Sequence, residues 1–176
     1  MSKFTIIKTF IIYFSLIFTF MLIHELAHGI TAIIFGGKLK GIWLTSYLGF
    51  GKRSNDVSAF TFYTYTSYND SILCYRCVKI AGSLTAVLSA LILNYYSKKE
   101  KKITFFLASS NVIYYELSYW ALSPLLKYGD AYQLLQSFNI EQSNLILFFS
   151  LTFVVLLICV SVYFSKSLIK LLQFTY

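Results

Sequence analysis

The sequence predicts an all-α polytopic membrane protein of about four transmembrane helices, with a small β-hairpin-like loop between the first and second. Three observations carry that expectation. Hydrophobic residues make up 57% of the 176 and charged ones only 12%, with a mean hydropathy of +0.66, which is more apolar sequence than a soluble domain of this length can bury. Long apolar runs recur along the chain. Between the first two of them lies a segment of a different kind, dense in Thr, Tyr, Phe and Trp. No repeat, low-complexity tract or Pro/Gly/Ser linker divides the chain, and its only proline is Pro124, so residues 1–176 read as one membrane-embedded domain.

The first span runs from about Thr5 to Phe35. Its run Ile6 to Ile23 carries one charge, Lys8, and a helix of that whole span is about 45 Å long, more than the hydrocarbon thickness requires. The run is too long for a secretory signal and continues without a small-residue cleavage site. From Lys38 to Tyr68 the composition favours two or more strands around the turn-forming "GKRSND". The competing reading there is an irregular amphipathic loop with tyrosines at headgroup level. Val78 to Tyr96 is the second span, with small residues on it. Ile103 to Leu126 is the third, aromatic and the least regular, and Leu145 to Phe164 is the fourth.

The net charge of +8 comes from Lys and Arg that flank the spans, as in "KKEKK" at 98–102. That pattern fits contact with a lipid bilayer, and no basic stripe points to nucleic acid. Counted by side, the N-terminus, the 97–102 loop and the C-terminus carry eight Lys/Arg and the opposite side seven, so the positive-inside rule gives no orientation. "CYRC", Cys74 to Cys77, lacks a second pair, and Cys159 lies inside the fourth span; these read as ordinary small residues.

The chemistry lies in "IHELAH", residues 23–28. Residues four apart share a helix face, so His24 and His28 can present two imidazole nitrogens to one ion with Glu25 beside them. Neutral imidazole suits Zn²⁺, and a catalytic site keeps a position for water, whose pKa the metal lowers toward neutrality. Glu25 would take the proton of that water as it attacks a carbonyl and pass it to the leaving amine. The plain alternative is a pair of satisfied core histidines. Against it, the motif holds both histidines of the chain at a depth where ionisable groups are expensive.

A third protein ligand, normally a carboxylate, is then required. Of three Asp and four Glu, Asp56, Asp70, Glu100 and Glu141 read as solvated surface residues. Asp130 and Glu116 remain. Asp130 lies in "LSPLLKYGDAYQLL", where Pro124 and Gly129 can break a helix and form a membrane-embedded or re-entrant kink. Alternating spans bring the end of the third to the same side as the C-terminal half of the first, which favours Asp130. Glu116, about as deep in its span as the histidines in theirs, is the rival, or else a protonated carboxyl bonded to Tyr or Ser neighbours.

This constellation resembles the site-2 protease family of intramembrane zinc metalloproteases. "HELAHG" at 24–29 is similar to its HExxH helix, and the strand-rich loop sits where bacterial members have a membrane-associated β-hairpin. "KIAGSLTAVLSALIL" at 79–93 resembles the small-residue helix, Gly82 matching its glycine. "SPLLKYGDAYQLL" at 123–135 resembles the Asn-Pro and Asp-Gly segment, Pro124 matching the proline and Asp130 the metal-binding aspartate. The chain departs from the pattern at Ser83 in place of a proline, at Thr85 and Ala86 near the usual asparagine, and in the order of Gly129 and Asp130. No asparagine closely precedes Pro124, and Asn111 lies too far upstream to replace it readily.

The resemblance implies a zinc metalloendopeptidase, a multi-pass protein of the cell membrane. His24, His28 and Asp130 would hold Zn²⁺, and Glu25 would act as general base. The substrate would be a transmembrane helix of another protein, cut within or near the bilayer. The active site would open toward the cytosol, with the N-terminus outside. A substrate helix must unwind locally, and the hairpin at 38–68 would hold the unwound segment as an added strand. Two other classes stand beside this one. A catalytically silent scaffold or chaperone of the same fold has no need of Glu25. A metal-handling transporter or sensor would carry more polar groups than the second and fourth spans have.

Overall fold

A computed structural model describes residues 3–43, 49–51, 63–67, 71–140 and 142–173. In chain order the elements are α1 (Lys3–Ile34), β1 (Lys38–Trp43), β2 (Gly49–Gly51), β3 (Tyr63–Ser67), α2 (Ile72–Lys99), α3 (Ile103–Leu122), α4 (Gly129–Ser137) and α5 (Ser143–Gln173).

α1 runs unbroken through the histidine motif because nothing in its 32 residues interrupts it: no proline, and Gly29 alone among glycines. It stops where Gly36 adopts φ +79°. There the Gly36 N–H donates to the Ile33 carbonyl at 3.0 Å and the Gly37 N–H to the Ala32 carbonyl at 2.8 Å, which together form a Schellman motif. The chain turns directly into β1. The strand-rich segment is a three-stranded antiparallel sheet of order β2-β1-β3, with Ile42 opposite both Phe50 and Thr64 and an irregularity between Leu39 and Gly41. The expected turn at "KRSND" lies outside the described residues. β3 also packs against α1, so the sheet covers the histidine-bearing end of that helix.

α2 begins six residues earlier than hydropathy alone places the second span. Its start is set by a cap: the Ser71 side chain accepts the Cys74 N–H at 3.3 Å. The "CYRC" cysteines therefore fall in its first turns as free thiols, Cys74 buried with Ala32 and Val78. Gly82, Ala86 and Ala90 lie on the buried side of α2, where small residues let helix backbones approach closely. The central cluster forms around Phe20, Ala86, Ala90, Phe106, Ile113 and Phe164, drawn from α1, α2, α3 and α5.

Among the described residues three helices are long and apolar enough to cross a membrane: Ile6–Ile34, Ile72–Lys99 and Ser143–Gln173. The third span expected from the sequence, 103–126, is not among them and ends at Leu122 as the 20-residue α3. Ser109, Ser110, Asn111 and Glu116 reduce its apolar character. It is also the helix most enclosed by the others, packing on α1, α2 and α5. The outer faces of α1 and α5 expose large apolar side chains, among them Phe10, Phe14, Phe148 and Ile158.

After α3 the chain turns through Ser123–Tyr128, with Lys127 at φ 56° and Gly129 at φ 78°. The helix break expected there is present, and the nine-residue α4 follows it. This helix is held at both ends. At its start the Asp130 N–H donates to the Tyr119 hydroxyl at 2.7 Å. At its end the Arg76 guanidinium donates to the Ser137 hydroxyl at 3.1 Å and to the Ser137 carbonyl, and stacks 3.7 Å over the Phe138 ring.

Away from the histidines, α2 and α3 are joined by Asn94, whose Nδ2 donates to Ser110 Oγ at 3.0 Å and Ser109 Oγ at 3.2 Å in a buried setting. Asn94→Ala is expected to lower unfolding stability in detergent by about 1 kcal/mol, the ordinary size of an interhelical polar contact, and to leave the histidine site unchanged. Chemical denaturation followed by circular dichroism measures it.

Candidate metal centre

His24, Glu25 and His28 sit in the last three turns of α1, with the two imidazole rings 4.9 Å apart between centroids. α4 brings Asp130 to them, so that one ligand atom from each of His24, His28 and Asp130 lies within 4.8 Å of the others. Asp130 Oδ2 is 3.5 Å from His28 Nε2.

The inner nitrogen of each imidazole is already engaged. His24 Nδ1 lies 2.8 Å from Glu116 Oε1, and His28 Nδ1 lies 2.5 Å from the Val78 carbonyl oxygen. Each ring therefore carries its proton on Nδ1 and turns Nε2, as an acceptor, toward the other ligands. This is the arrangement that fixes the tautomer and aim of metal-binding histidines. Asp130 is treated likewise: Oδ1 accepts from Lys79 Nζ at 2.9 Å, which leaves Oδ2 for the site.

α2 reaches the imidazoles because residue 82 is glycine. A Cβ there would stand 2.6 Å from His24 Nε2 and closer still to His28 Nε2. Gly129 meets the same constraint twice, with a positive φ and with the Tyr119 hydroxyl where a Cβ would sit.

Glu25, 8% exposed, points its Oε2 at the Thr64 hydroxyl of β3, 2.7 Å away, and the same hydroxyl lies 2.9 Å from the Glu25 carbonyl. The site opens into a cavity of about 810 Å³. Its walls are polar around the histidines, Thr64, Thr66, Lys79 and Asp130, and apolar where Ile17, Phe20, Met21 and Val112 continue it along α1 and α3.

A divalent cation of the zinc type fits these residues. Two neutral imidazoles and a carboxylate are its usual donors, and the cavity side is left open for a further ligand. Glu116 gives an independent sign. It is 3% exposed, and its Oε2 has no hydrogen-bond partner among the described residues. A buried carboxylate with one oxygen bare needs positive charge nearby, and a cation on His24 Nε2 supplies it.

Of the residues singled out in the sequence, His24, His28 and Asp130 are brought together and Glu25 flanks them. Glu116 stands behind His24, on its far nitrogen, outside the ligand cluster. Glu100 caps the exposed end of α2, while Asp56, Asp70 and Glu141 lie outside the described residues. Asn111, expected to be too distant, lines the cavity, because α3 runs back alongside α1. Thr64, Lys79 and Tyr119 were not anticipated. Lys79 gave a faint signal, being a charge at the start of an apolar run, but the same pattern marks ordinary flanking lysines.

Compared with protein-family models, curated proteins and solved structures, the chain matches none.

Gly82→Ala separates packing from propensity. Alanine is favoured over glycine in a helix by about 1 kcal/mol, so helical content should hold or rise. The added methyl displaces both imidazoles, and bound zinc per chain should fall at least tenfold. Metal analysis of the purified protein beside its far-ultraviolet circular dichroism checks both.

Proposed function

We propose that the protein is an intramembrane zinc metalloendopeptidase of the site-2 protease type, a multi-pass protein of the cell membrane that cuts transmembrane segments of other proteins. The observation that carries this reading is the convergence of His24, His28 and Asp130, with Glu25 beside them, on a cavity that is polar at the ligands and apolar beyond. In this reading α3 is a fourth crossing. Its 20 residues span about 30 Å, the hydrocarbon thickness, and Glu116, Ser109 and Ser110 are buried among the other helices.

His24 Nε2, His28 Nε2 and Asp130 Oδ2 would hold the zinc, which supplies Lewis acidity toward a water and the scissile carbonyl. Glu25, held in one rotamer by Thr64 through Oε2, takes the water's proton on its other oxygen and delivers it to the leaving amide nitrogen. Lys79 holds Asp130 by Oδ1 and keeps it from swinging away from the histidines. The apolar end of the cavity accepts the hydrophobic side chains of the substrate and excludes bulk water. Among the described residues one edge of β3 carries no strand, and its Thr64 and Thr66 line the cavity. An unwound substrate segment pairs there by main-chain hydrogen bonds.

The test uses purified, zinc-loaded protein in liposomes with a panel of single-span substrates. Glu25→Gln should lower cleavage by about 100-fold or more and retain zinc, as expected for loss of a general base. Asp130→Ala should lose cleavage and zinc together. Zinc bound through the histidines with no Glu25-dependent cleavage of any substrate would replace this reading with the scaffold or metal-handling one. Thr66→Pro, which removes a strand N–H, should weaken cleavage with zinc unchanged; equal cleavage would remove β3 from the substrate path.

A further inference from the structure

We propose that Glu116 is a positioning residue for the metal centre, a buried carboxylate that orients His24 and raises its strength as a ligand. The proposal rests on the metal reading above and assigns a role to a side chain that the cleavage chemistry does not itself use.

The two histidines are held by the same device with unequal partners. His28 Nδ1 meets a neutral backbone carbonyl, and His24 Nδ1 meets a carboxylate, at 2.8 Å. A carboxylate draws the Nδ1 proton more strongly than a carbonyl does, which makes the opposite nitrogen of the ring the better electron donor. A backbone carbonyl would suffice if only the direction of the ring mattered. The use of a glutamate in the middle of α3, 92 residues from its partner, points to the charge itself.

The bare Oε2 leads to the same conclusion. A glutamate kept only to join α1 to α3 would be expected to have both oxygens satisfied, as buried polar groups usually are. Here one oxygen is bonded to His24 and the other, fully buried, has no partner among the described residues. Its compensation lies across the imidazole ring, where a cation on Nε2 would sit. Charge accounting agrees. A dication and Lys79 bring three positive charges to the site, and Asp130, Glu25 and Glu116 bring three negative ones. Without Glu116 a loaded site would keep one positive charge in surroundings of low polarity, and its hold on the cation would weaken. Glu116 does not replace Asp130 as ligand, because its near oxygen is on the nitrogen of His24 that faces away from the cluster.

The experiment measures zinc affinity by chelator competition on the full chain in detergent, for wild type, Glu116→Gln and Glu116→Met. Glutamine keeps an acceptor for Nδ1 and loses the charge; methionine keeps the volume and loses both. Affinity should fall about 10- to 100-fold in Glu116→Gln, the usual effect of removing such a partner, and further in Glu116→Met. The cobalt-substituted absorption bands should shift in both, while the metal-free Glu116→Gln protein, which keeps an acceptor for Nδ1, holds the wild-type thermal midpoint. Wild-type affinity in both variants would overturn the proposal and leave the metal reading standing. A loss of zinc matched by collapse of the metal-free fold in both variants would reduce Glu116 to a structural role and equally overturn it. Absence of zinc from the wild type would remove the metal reading and this proposal with it.

Discussion

Two imidazoles on an apolar helix can face a cavity only if their inner nitrogens are already satisfied, and the arrangement of this protein follows from meeting that demand. His28 is served by the Val78 carbonyl, so α2 must come within hydrogen-bonding distance of α1 at that point, and glycine at 82 is what permits the approach. His24 is served by Glu116, so α3 must lie against the same face of α1. Three helices are thereby fixed around one pair of rings. Apolar packing at Phe20, Ala86 and Ile113 is compatible with many small rotations of these helices; the hydrogen bonds select one.

The same logic governs α4. This helix is short and buries Ala131 and Leu134 against Trp120, and polar contacts at its ends and at the Asp130 carboxylate set where it presents Asp130. Tyr119 fixes its first backbone N–H, Arg76 fixes its last turn, and Lys79 fixes one carboxylate oxygen. All three partners come from α2 and α3, the helices that the histidines already position. The His24, His28 and Asp130 cluster thus takes its supporting contacts from the long helices α2 and α3.

Much of this was legible in the sequence, for local reasons. A four-residue spacing places His24 and His28 on one face whatever the rest of the chain does, and the scarcity of carboxylates reduced the third ligand to two candidates. The break residues Pro124 and Gly129 then favoured Asp130. The partners of those groups were not legible. Thr64, Glu116 and Lys79 meet Glu25, His24 and Asp130 across 39, 92 and 51 residues, and no periodicity encodes such pairings. Element boundaries went astray for a related reason: α2 begins at a Ser71 cap inside polar sequence, and α3 trades apolar character for the groups it buries. The three-stranded sheet was anticipated as strand-rich sequence, but its order, with β1 between β2 and β3, depends on which strands pair, and composition does not encode that.

The link from Thr64 to Glu25 ties the covering sheet to the glutamate of the histidine motif. Successive residues of a strand face opposite sides, so a slip of β3 by one position would carry the hydroxyl away from the carboxylate. A guest strand that aligned β3 correctly would keep Glu25 aimed, and one that dragged it out of register would leave the glutamate free to turn away. Under the proposed peptidase reading, proofreading of the bound segment and readiness to cut it would be a single mechanical event, with the threonine as the latch between them.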